Sequence, residues 1–195
     1  MIDFNEVIVC ASKYFNTDEM RKLYEKQVFH FGENKAQDLI KKHQALSDLK
    51  VTWHFIGHLQ TNKVKDMIHL IDYLHTLDRL NLAESIQKYR DKPLNCFIQL
   101  NLTKEPQKSG LFIEDLDKFL LEIKKYDKIN IVGFMTMGKD QDIVETEKAF
   151  QLCHELSNKY HLPYLSMGMT EDYELAIKHH ATHLRMGRKF KEMLE

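Results

Sequence analysis

Short runs of β-branched and aromatic residues alternate along the whole chain with segments in which apolar residues recur at helical spacing. This alternation predicts strands at positions 7–11, 28–31, 51–56, 73–75, 95–100, 129–134, 164–166 and 183–186. Strands separated by helices are typical of a parallel sheet whose neighbouring strands are joined by crossovers. Eight such units in 195 residues predict an α/β fold, a compact (β/α)8 TIM-type barrel, with an open doubly wound sheet as the alternative.

The composition narrows the class of protein. No Gly-, Ser- or Pro-rich linker divides the sequence, so we expect one domain over residues 1–195. The 28 basic and 29 acidic residues give a net charge of −1, which disfavours a nucleic-acid binder. No run reaches the roughly 18 apolar residues of a membrane helix, and residues 1–6 do not resemble a secretory signal. Cys10, Cys96 and Cys153 are widely spaced and odd in number, which suits a reducing compartment. We expect a cytoplasmic monomer without membrane or nucleic-acid partners.

Lys13 is the first candidate for a functional residue. In a parallel barrel such residues lie at the carboxyl ends of the strands, and Lys13 follows the first predicted strand almost directly. A lysine desolvated at the barrel mouth keeps a free amine, which can form a Schiff base with an aldehyde. An ordinary solvated loop lysine is the alternative. The same rule marks the segments 32–34, 57–60 and 135–138.

The segments after the seventh and eighth predicted strands form a candidate anion site. Barrels frequently bind phosphate with these loops and the start of a short helix. We expect the hydroxyl of Thr170 to cap a helix, Gly187 to let the backbone approach a ligand, and Arg188 to add positive charge. Ordinary helix capping is the alternative. If Arg185 is buried at the end of the last strand, it needs either an internal salt bridge or a ligand.

Three other patterns favour no function. Residues 133–139 have the G-x-x-x-x-G-K spacing of a phosphate loop, but Asp140 follows where Ser or Thr would bind magnesium. The histidines at 54 and 58, and at 179, 180 and 183, have no nearby cysteine or acid in a ligand pattern, so no metal site is predicted. The lysine pairs at 41–42 and 124–125 are expected on solvated outer faces of helices.

Six tracts spread over nearly the whole chain combine into a recognisable set of motifs. They are Ala-Ser-Lys at 11–13, Phe-Gly-Glu-Asn at 31–34, the tract 53–63, and residues 99–110, 166–170 and 185–187. In this order they resemble the pyridoxal-phosphate homeostasis protein family. The resemblance implies a single barrel like the N-terminal domain of alanine racemase and pyridoxal 5′-phosphate (PLP) as the cofactor.

The resemblance also implies a role for each candidate residue. It implies that Lys13 holds PLP as a Schiff base and that Arg185 faces the pyridine nitrogen. It implies that the phosphate is bound at the positions of Thr170, Gly187 and Arg188. The other implied cofactor-binding residues are Asn34, Ser166 and Met169. It assigns no catalytic or metal-binding residue.

The implied function is PLP binding in intracellular PLP homeostasis, without robust catalytic turnover and with transient contact to PLP-dependent apoenzymes. A guanidinium beside the pyridine nitrogen disfavours protonation of that nitrogen, which makes the ring a weaker electron sink. Racemases that resemble the family bring a second base and an additional β-domain, which we do not expect in this chain. A PLP-dependent amino-acid racemase-like enzyme is the alternative, and a family member that binds no cofactor is a third hypothesis.

The sequence departs from the family at two places. Members often begin with a helix before the lysine strand, whereas here that strand is expected within about seven residues of Met1, so the lower barrel mouth should be less covered. Members usually carry a small hydroxyl residue after the Arg-x-Gly triplet and a glycine three residues later, where this chain has Arg188 and Lys191. We expect Arg188 either to strengthen phosphate binding or to block it sterically.

Overall fold

The computed structural model describes residues 6–194, which form a closed barrel of eight parallel strands in sequence order. The strands are β1 (Val7–Ala11), β2 (His30–Glu33), β3 (Thr52–Phe55), β4 (Tyr73–Leu77), β5 (Leu94–Gln99), β6 (Ile129–Met135), β7 (Tyr164–Ser166) and β8 (His183–Met186). Strand β1 pairs with β2 on one side and with β8 on the other, where Val7 lies opposite His183. This pairing closes the sheet, so the barrel prediction is confirmed and the open sheet is wrong.

Helices surround the barrel and connect its strands. They are α1 (Thr17–Glu25), α2 (Ala36–Ala45), α3 (Val64–Met67), α4 (Leu80–Tyr89), α5 (Ile113–Ile123), α6 (Ile143–Tyr160) and α7 (Tyr173–Lys178). Single 3₁₀ turns lie at Ser12–Tyr14, Thr61–Lys63, Ile68–Leu70 and Arg188–Phe190. None of the helices within residues 6–194 combines the length and the apolar character needed to cross a bilayer. Residues 1–5, which belong to the segment that argued against a secretory signal, lie outside the described part.

The second strand differs from its predicted position. The predicted 28–31 strand is observed as His30–Glu33. Val28 instead donates its backbone N–H to the carbonyl of Leu23, which closes the turn after α1. Strand β2 gains Gly32 and Glu33, which pair with residues of β3. The shift carries the Glu33 carboxylate to the carboxyl end of the barrel.

Apolar side chains fill the layer between strands and helices. Phe31, Phe55 and Phe134 of the sheet belong to the same buried cluster as Met20 and Leu23 of α1. All five are at most 1% exposed, and full burial of such a side chain stabilises a fold by about 2 kcal/mol. The three cysteines are buried and unpaired, as expected from their spacing.

The barrel interior is rich in polar and aromatic rings. The ring centroids of His54, His75 and Phe97 lie 6.4, 6.1 and 5.0 Å from that of His183. These residues come from β3, β4, β5 and β8, and side chains of four different strands meet in this way at the barrel centre. Branched aliphatic residues usually fill such interiors, so the histidines give this barrel an unusually polar centre.

Candidate functional site

A cavity of about 800 Å³ opens at the carboxyl ends of the strands. Seven of the eight predicted site residues line it, namely Lys13, Asn34, Met169, Thr170, Arg185, Gly187 and Arg188. They follow or end strands β1, β2, β7 and β8, which meet at one end of the barrel. The eighth, Ser166, is fully buried beneath the cavity and contacts Arg185.

Lys13 lies in the 3₁₀ turn that follows β1, with its ammonium nitrogen 4.8 Å from the ring centroid of Tyr14. The residue is exposed, so the desolvation suggested by the sequence is wrong. The face of an aromatic ring attracts a cation, which gives the lysine a preferred position at the rim of the cavity. The amine is therefore accessible to a ligand that enters from solvent.

A buried carboxylate holds the turn that carries Lys13. Glu33 is fully buried, accepts a hydrogen bond from Ser12 Oγ over 2.9 Å, and pairs with Lys42 Nζ at 2.5 Å. Lys42 also donates to the backbone carbonyl of Ser12 over 2.7 Å. The prediction of a solvated Lys42 is therefore wrong, because its long side chain reaches from α2 over the barrel end to the acid. The ends of β1 and β2 are tied together directly before Lys13.

Arg185 is 6% exposed and lies under the cavity. Its Nη1 donates to Ser166 Oγ over 2.7 Å and its Nη2 to the backbone carbonyl of Thr136 over 3.2 Å. Within residues 6–194 it forms no salt bridge, so the alternative of an internal ion pair is wrong. Burial lowers the pKa of Arg185 to about 10, against a smaller opposing effect of the Asp172 charge. The guanidinium therefore stays cationic at neutral pH without a contacting carboxylate.

Thr170 does not cap a helix. It lies in the turn before α7, which begins at Tyr173 with Asp172 in the cap position. Asp172 Oδ1 accepts the backbone N–H of Met169 over 2.6 Å and so folds the turn back on itself. Thr170 is one of the cavity-lining residues, and no side chain or backbone group of residues 6–194 bonds to its hydroxyl.

Gly187 and Arg188 line the cavity directly after β8. A Cβ at Gly187 would lie 2.5 Å from two ring carbons of Tyr14, so the glycine lets this ring approach the backbone. Arg188 Nη2 pairs with Glu171 Oε1, and both side chains are more than half exposed. This ion pair, which the sequence analysis did not foresee, places an acid beside the predicted phosphate residue.

Asn34 is positioned by a close contact between two loops. A Cβ at Gly57 would lie 2.1 Å from the backbone oxygen of Asn34, so only glycine fits there without moving the loop. The backbone N–H of Asn34 donates to Glu33 Oε2 over 3.2 Å. Asn34 thereby shares its support with the turn that carries Lys13.

Part of the cavity wall was not predicted. Lys108, from the loop after β5, lines the cavity, and so does the segment 139–143, which leads into the first residue of α6. Lys108 donates to the carbonyl of Gly138 over 3.0 Å, which joins the two loops, and it pairs with Glu105 of its own loop. Both segments follow the carboxyl ends of strands. The strand-end rule, by which functional residues of a parallel barrel lie at these ends, would have found them if it had been applied to every strand.

The weaker sequence patterns acquire structural roles. Lys139, the last residue of the phosphate-loop-like segment, lies 3.5 Å from Asp142 and lines the cavity. His54 is buried in β3 whereas His58 lies exposed in the following loop. Within residues 6–194 there is no cluster of three or more histidine, cysteine or acidic side chains arranged to hold a metal ion.

Comparison with known proteins places this barrel in a family. The model of the alanine racemase N-terminal domain family matches residues 16–188. A pyridoxal phosphate homeostasis protein of Aquifex aeolicus is 36% identical over 187 residues, which cover 91% of this chain and 82% of that protein. The protein of the same name from Helicobacter pylori is 37% identical over 187 residues, covering 92% and 84%.

Solved structures of similar proteins agree with this family assignment. PipY of Synechococcus elongatus, in a structure with PLP bound, superposes with a TM-score of 0.88 at 28% identity, covering 97% of this chain and 94% of PipY. Alanine racemase of Corynebacterium glutamicum superposes with a TM-score of 0.70 at 12% identity, which is a likeness of fold. This chain covers 56% of the racemase. The chain belongs to the pyridoxal phosphate homeostasis protein family, whose barrel is that of the alanine racemase N-terminal domain.

Proposed function

We propose that this protein binds PLP in the cavity at the carboxyl end of the barrel and acts in intracellular PLP homeostasis. One observation carries the proposal: a single cavity brings together an accessible lysine amine, a buried guanidinium that contacts no carboxylate among residues 6–194 and a second arginine at its rim. The bound PLP in PipY, a structural neighbour at 28% identity, supports the same assignment.

The residues of the cavity fit the chemistry of this cofactor. PLP supplies an aldehyde, for which the Lys13 amine is the nucleophile at the cavity rim. Thr170, Arg188 and Gly187 line the cavity and offer a hydroxyl, a guanidinium and a backbone peptide group to an anionic phosphate. Asn34 and Met169 line the same space. Ser166 acts through Arg185 rather than from the cavity wall, which changes its expected role from ligand contact to support.

The environment of Arg185 favours a carrier over a fast enzyme. Its contacting partners among the described residues are the neutral oxygens of Ser166 and Thr136. Its positive charge therefore remains available at the cavity floor, where it would disfavour protonation of a ring nitrogen. A ring held in this state is a weak electron sink, whereas racemisation also needs an acid or base on each face of the substrate carbon. We infer that the protein holds and releases PLP without robust turnover.

Absorbance of the purified protein with added PLP tests the binding. We expect a new band near the visible edge that disappears on borohydride reduction and is absent in Lys13→Ala. Lys139→Ala is the matched control, because Lys139 lines the same cavity at its other side. Absence of the band in the wild type, or its retention in Lys13→Ala, would contradict the proposal.

Incubation with L-alanine and other L-amino acids separates the carrier from the racemase-like enzyme. Formation of D-isomer at about 1 per second or faster, a rate typical of enzymes, would reject the carrier. We further propose a single-domain cytoplasmic monomer that contacts PLP-dependent apoenzymes transiently. Transfer of PLP to an apoenzyme faster than free diffusion of released PLP allows is the measurement that supports such contact.

A further inference from the structure

A line of hydrogen bonds runs through the barrel interior, starting at the cavity floor. Arg185 Nη1 donates to Ser166 Oγ over 2.7 Å, and Ser166 Oγ lies 2.7 Å from His75 Nδ1. His75 Nε2 lies 2.9 Å from His54 Nδ1, and His54 Nε2 lies 3.0 Å from His30 Nδ1. Ser166, His75, His54 and His30 come from four different strands, and we call them the Arg185 chain. It ends at His30, the first residue of β2, at the opposite end of the barrel.

The chemistry of Arg185 fixes the direction of every bond in this line. A guanidinium only donates, so Ser166 Oγ accepts from it, and the single hydroxyl proton then goes to His75 Nδ1. His75 must carry its own proton on Nε2 and donate it to His54 Nδ1. The same step repeats from His54 to His30. The opposite direction would leave the proton of the fully buried Ser166 hydroxyl without an acceptor among the described residues, which is strongly disfavoured.

This direction requires that the imidazoles of His75 and His54 are neutral. A protonated ring donates from both nitrogens and would oppose the N–H of its neighbour. Both rings are fully buried, and burial lowers the pKa of each well below its usual value. Geometry and desolvation therefore agree on one protonation state for the whole line.

We infer that the Arg185 chain positions Arg185, leaving its remaining N–H donors aimed at the cavity and its charge fixed beneath the ligand. Ser166, His75, His54 and His30 are thus positioning residues, and all four lie away from the cavity wall. A single rotamer of Arg185 satisfies Ser166 and the carbonyl of Thr136 together. This inference deepens the proposed function and rests on it.

His183 provides a matched control within the same interior. It is 5% exposed, and its ring lies 6.1 Å from that of His75. Its Nδ1 bonds to Thr182 Oγ1 rather than to a member of the Arg185 chain. Replacing His183 removes another buried imidazole without breaking the hydrogen bonds of the Arg185 chain.

Nitrogen-15 NMR of the wild-type protein without PLP reads the protonation states directly. We expect His75, His54 and His30 to carry their protons on Nε2 and to have unprotonated Nδ1 atoms at neutral pH. We also expect the guanidinium protons of Arg185 to exchange slowly with solvent. A protonated Nδ1 on His75 or His54, or fast exchange at Arg185, would overturn the inference.

Variants of the Arg185 chain test whether it affects PLP binding. Ser166→Ala and His75→Phe should speed proton exchange at Arg185 and raise the dissociation constant for PLP about tenfold, the effect of one lost buried hydrogen bond. Ser166→Thr keeps the hydroxyl and should rescue both readouts. His183→Asn should leave Arg185 exchange unchanged and binding within about twofold.

The outcomes separate the inference from the proposed function. If Ser166→Ala and His183→Asn have equal effects on proton exchange and on PLP binding, the Arg185 chain acts only through general packing. That result would overturn the inference. A wild type that binds no PLP would contradict the proposed function, and the positioning role for a cofactor would fall with it. In that case the NMR pattern still decides whether the hydrogen-bond line itself exists.

Discussion

The guanidinium of Arg188 pairs with the carboxylate of Glu171 at the rim of the cavity. Both residues are well exposed, so the pair is weak and can be exchanged for another anion. The predicted phosphate residue is therefore already paired with an acid, whose charge would compete with that of a phosphate for Arg188. Whether Arg188 strengthens or blocks phosphate binding stays a prediction, and the contact with Glu171 gives a way to test it.

Glu171→Gln should strengthen PLP binding. Without the competing carboxylate, Arg188 is free for the phosphate, and we expect the dissociation constant to fall about two- to fivefold. The gain should shrink at high salt because exposed charges are screened. Titration of PLP at low and high salt checks this. Glu122→Gln, which breaks an exposed pair with Lys125 far from the cavity, is the control and should change nothing. Weaker binding in Glu171→Gln would show that Arg188 is not a phosphate ligand.

Glu33→Gln should destabilise the fold. The change leaves the partly buried ammonium of Lys42 without its carboxylate. We therefore expect the free energy of unfolding to fall by about 3 kcal/mol. The double variant Glu33→Gln/Lys42→Met removes both charges and should recover most of the loss. Urea unfolding measures both, with Lys41→Met as an exposed control. If the double variant is no more stable than Glu33→Gln, the ion pair is not what holds the β1 and β2 ends together.

Gly57→Ala should weaken binding through Asn34. The added methyl would meet the backbone of Asn34, and main-chain atoms cannot move aside as a side-chain tip can. We expect a loss of about 1–3 kcal/mol in the free energy of unfolding and about a tenfold rise in the PLP dissociation constant. Gln60→Ala in the same loop is the control. An unchanged dissociation constant would exclude Asn34 from the binding surface.

Acid should destabilise the protein through its buried histidines. Burial and the nearby charges of His30 and Arg185 lower the pKa of His183 to about 4. Between pH 6.5 and 4 the unfolded chain binds a proton that native His183 does not, so stability rises with pH over this window. The shift corresponds to about 3 kcal/mol for this group.

His183→Asn isolates this contribution. The variant lacks the titrating ring, so the stability difference between wild type and variant should shrink as the pH falls from 7 to 4.5. Urea unfolding at several pH values measures it. A difference that stays constant over this range would contradict a buried neutral His183.

The sequence predicts the barrel because eight strand–helix units follow one another without a linker, although the same alternation also fits an open doubly wound sheet. The observed pairing of β1 with β8 decides between the two. The strand-end rule then brings Lys13, Arg185 and Arg188 to one cavity, as observed. The contacts that the sequence does not predict depend on how far long side chains extend and on the register of the strands. The sequence predicts Lys42 to be a solvated surface lysine. Its ion pair with Glu33 forms because the long side chain bends over the end of the barrel.

The histidine line was equally invisible in the sequence. His30, His54 and His75 lie on three successive strands with no motif spacing between them. Period-2 alternation indicates that residues point inward, but it does not give the relative heights of strands in a barrel. Only the pairing of β2, β3 and β4 brings the three rings within hydrogen-bond distance.

Mass spectrometry of the borohydride-reduced protein after incubation with PLP tests the central claim most directly. The account predicts that stoichiometric PLP is attached to the peptide that contains Lys13, and that Lys13→Ala carries none. Attachment spread over several lysines, or located on Lys108 or Lys139 across the cavity, would contradict it.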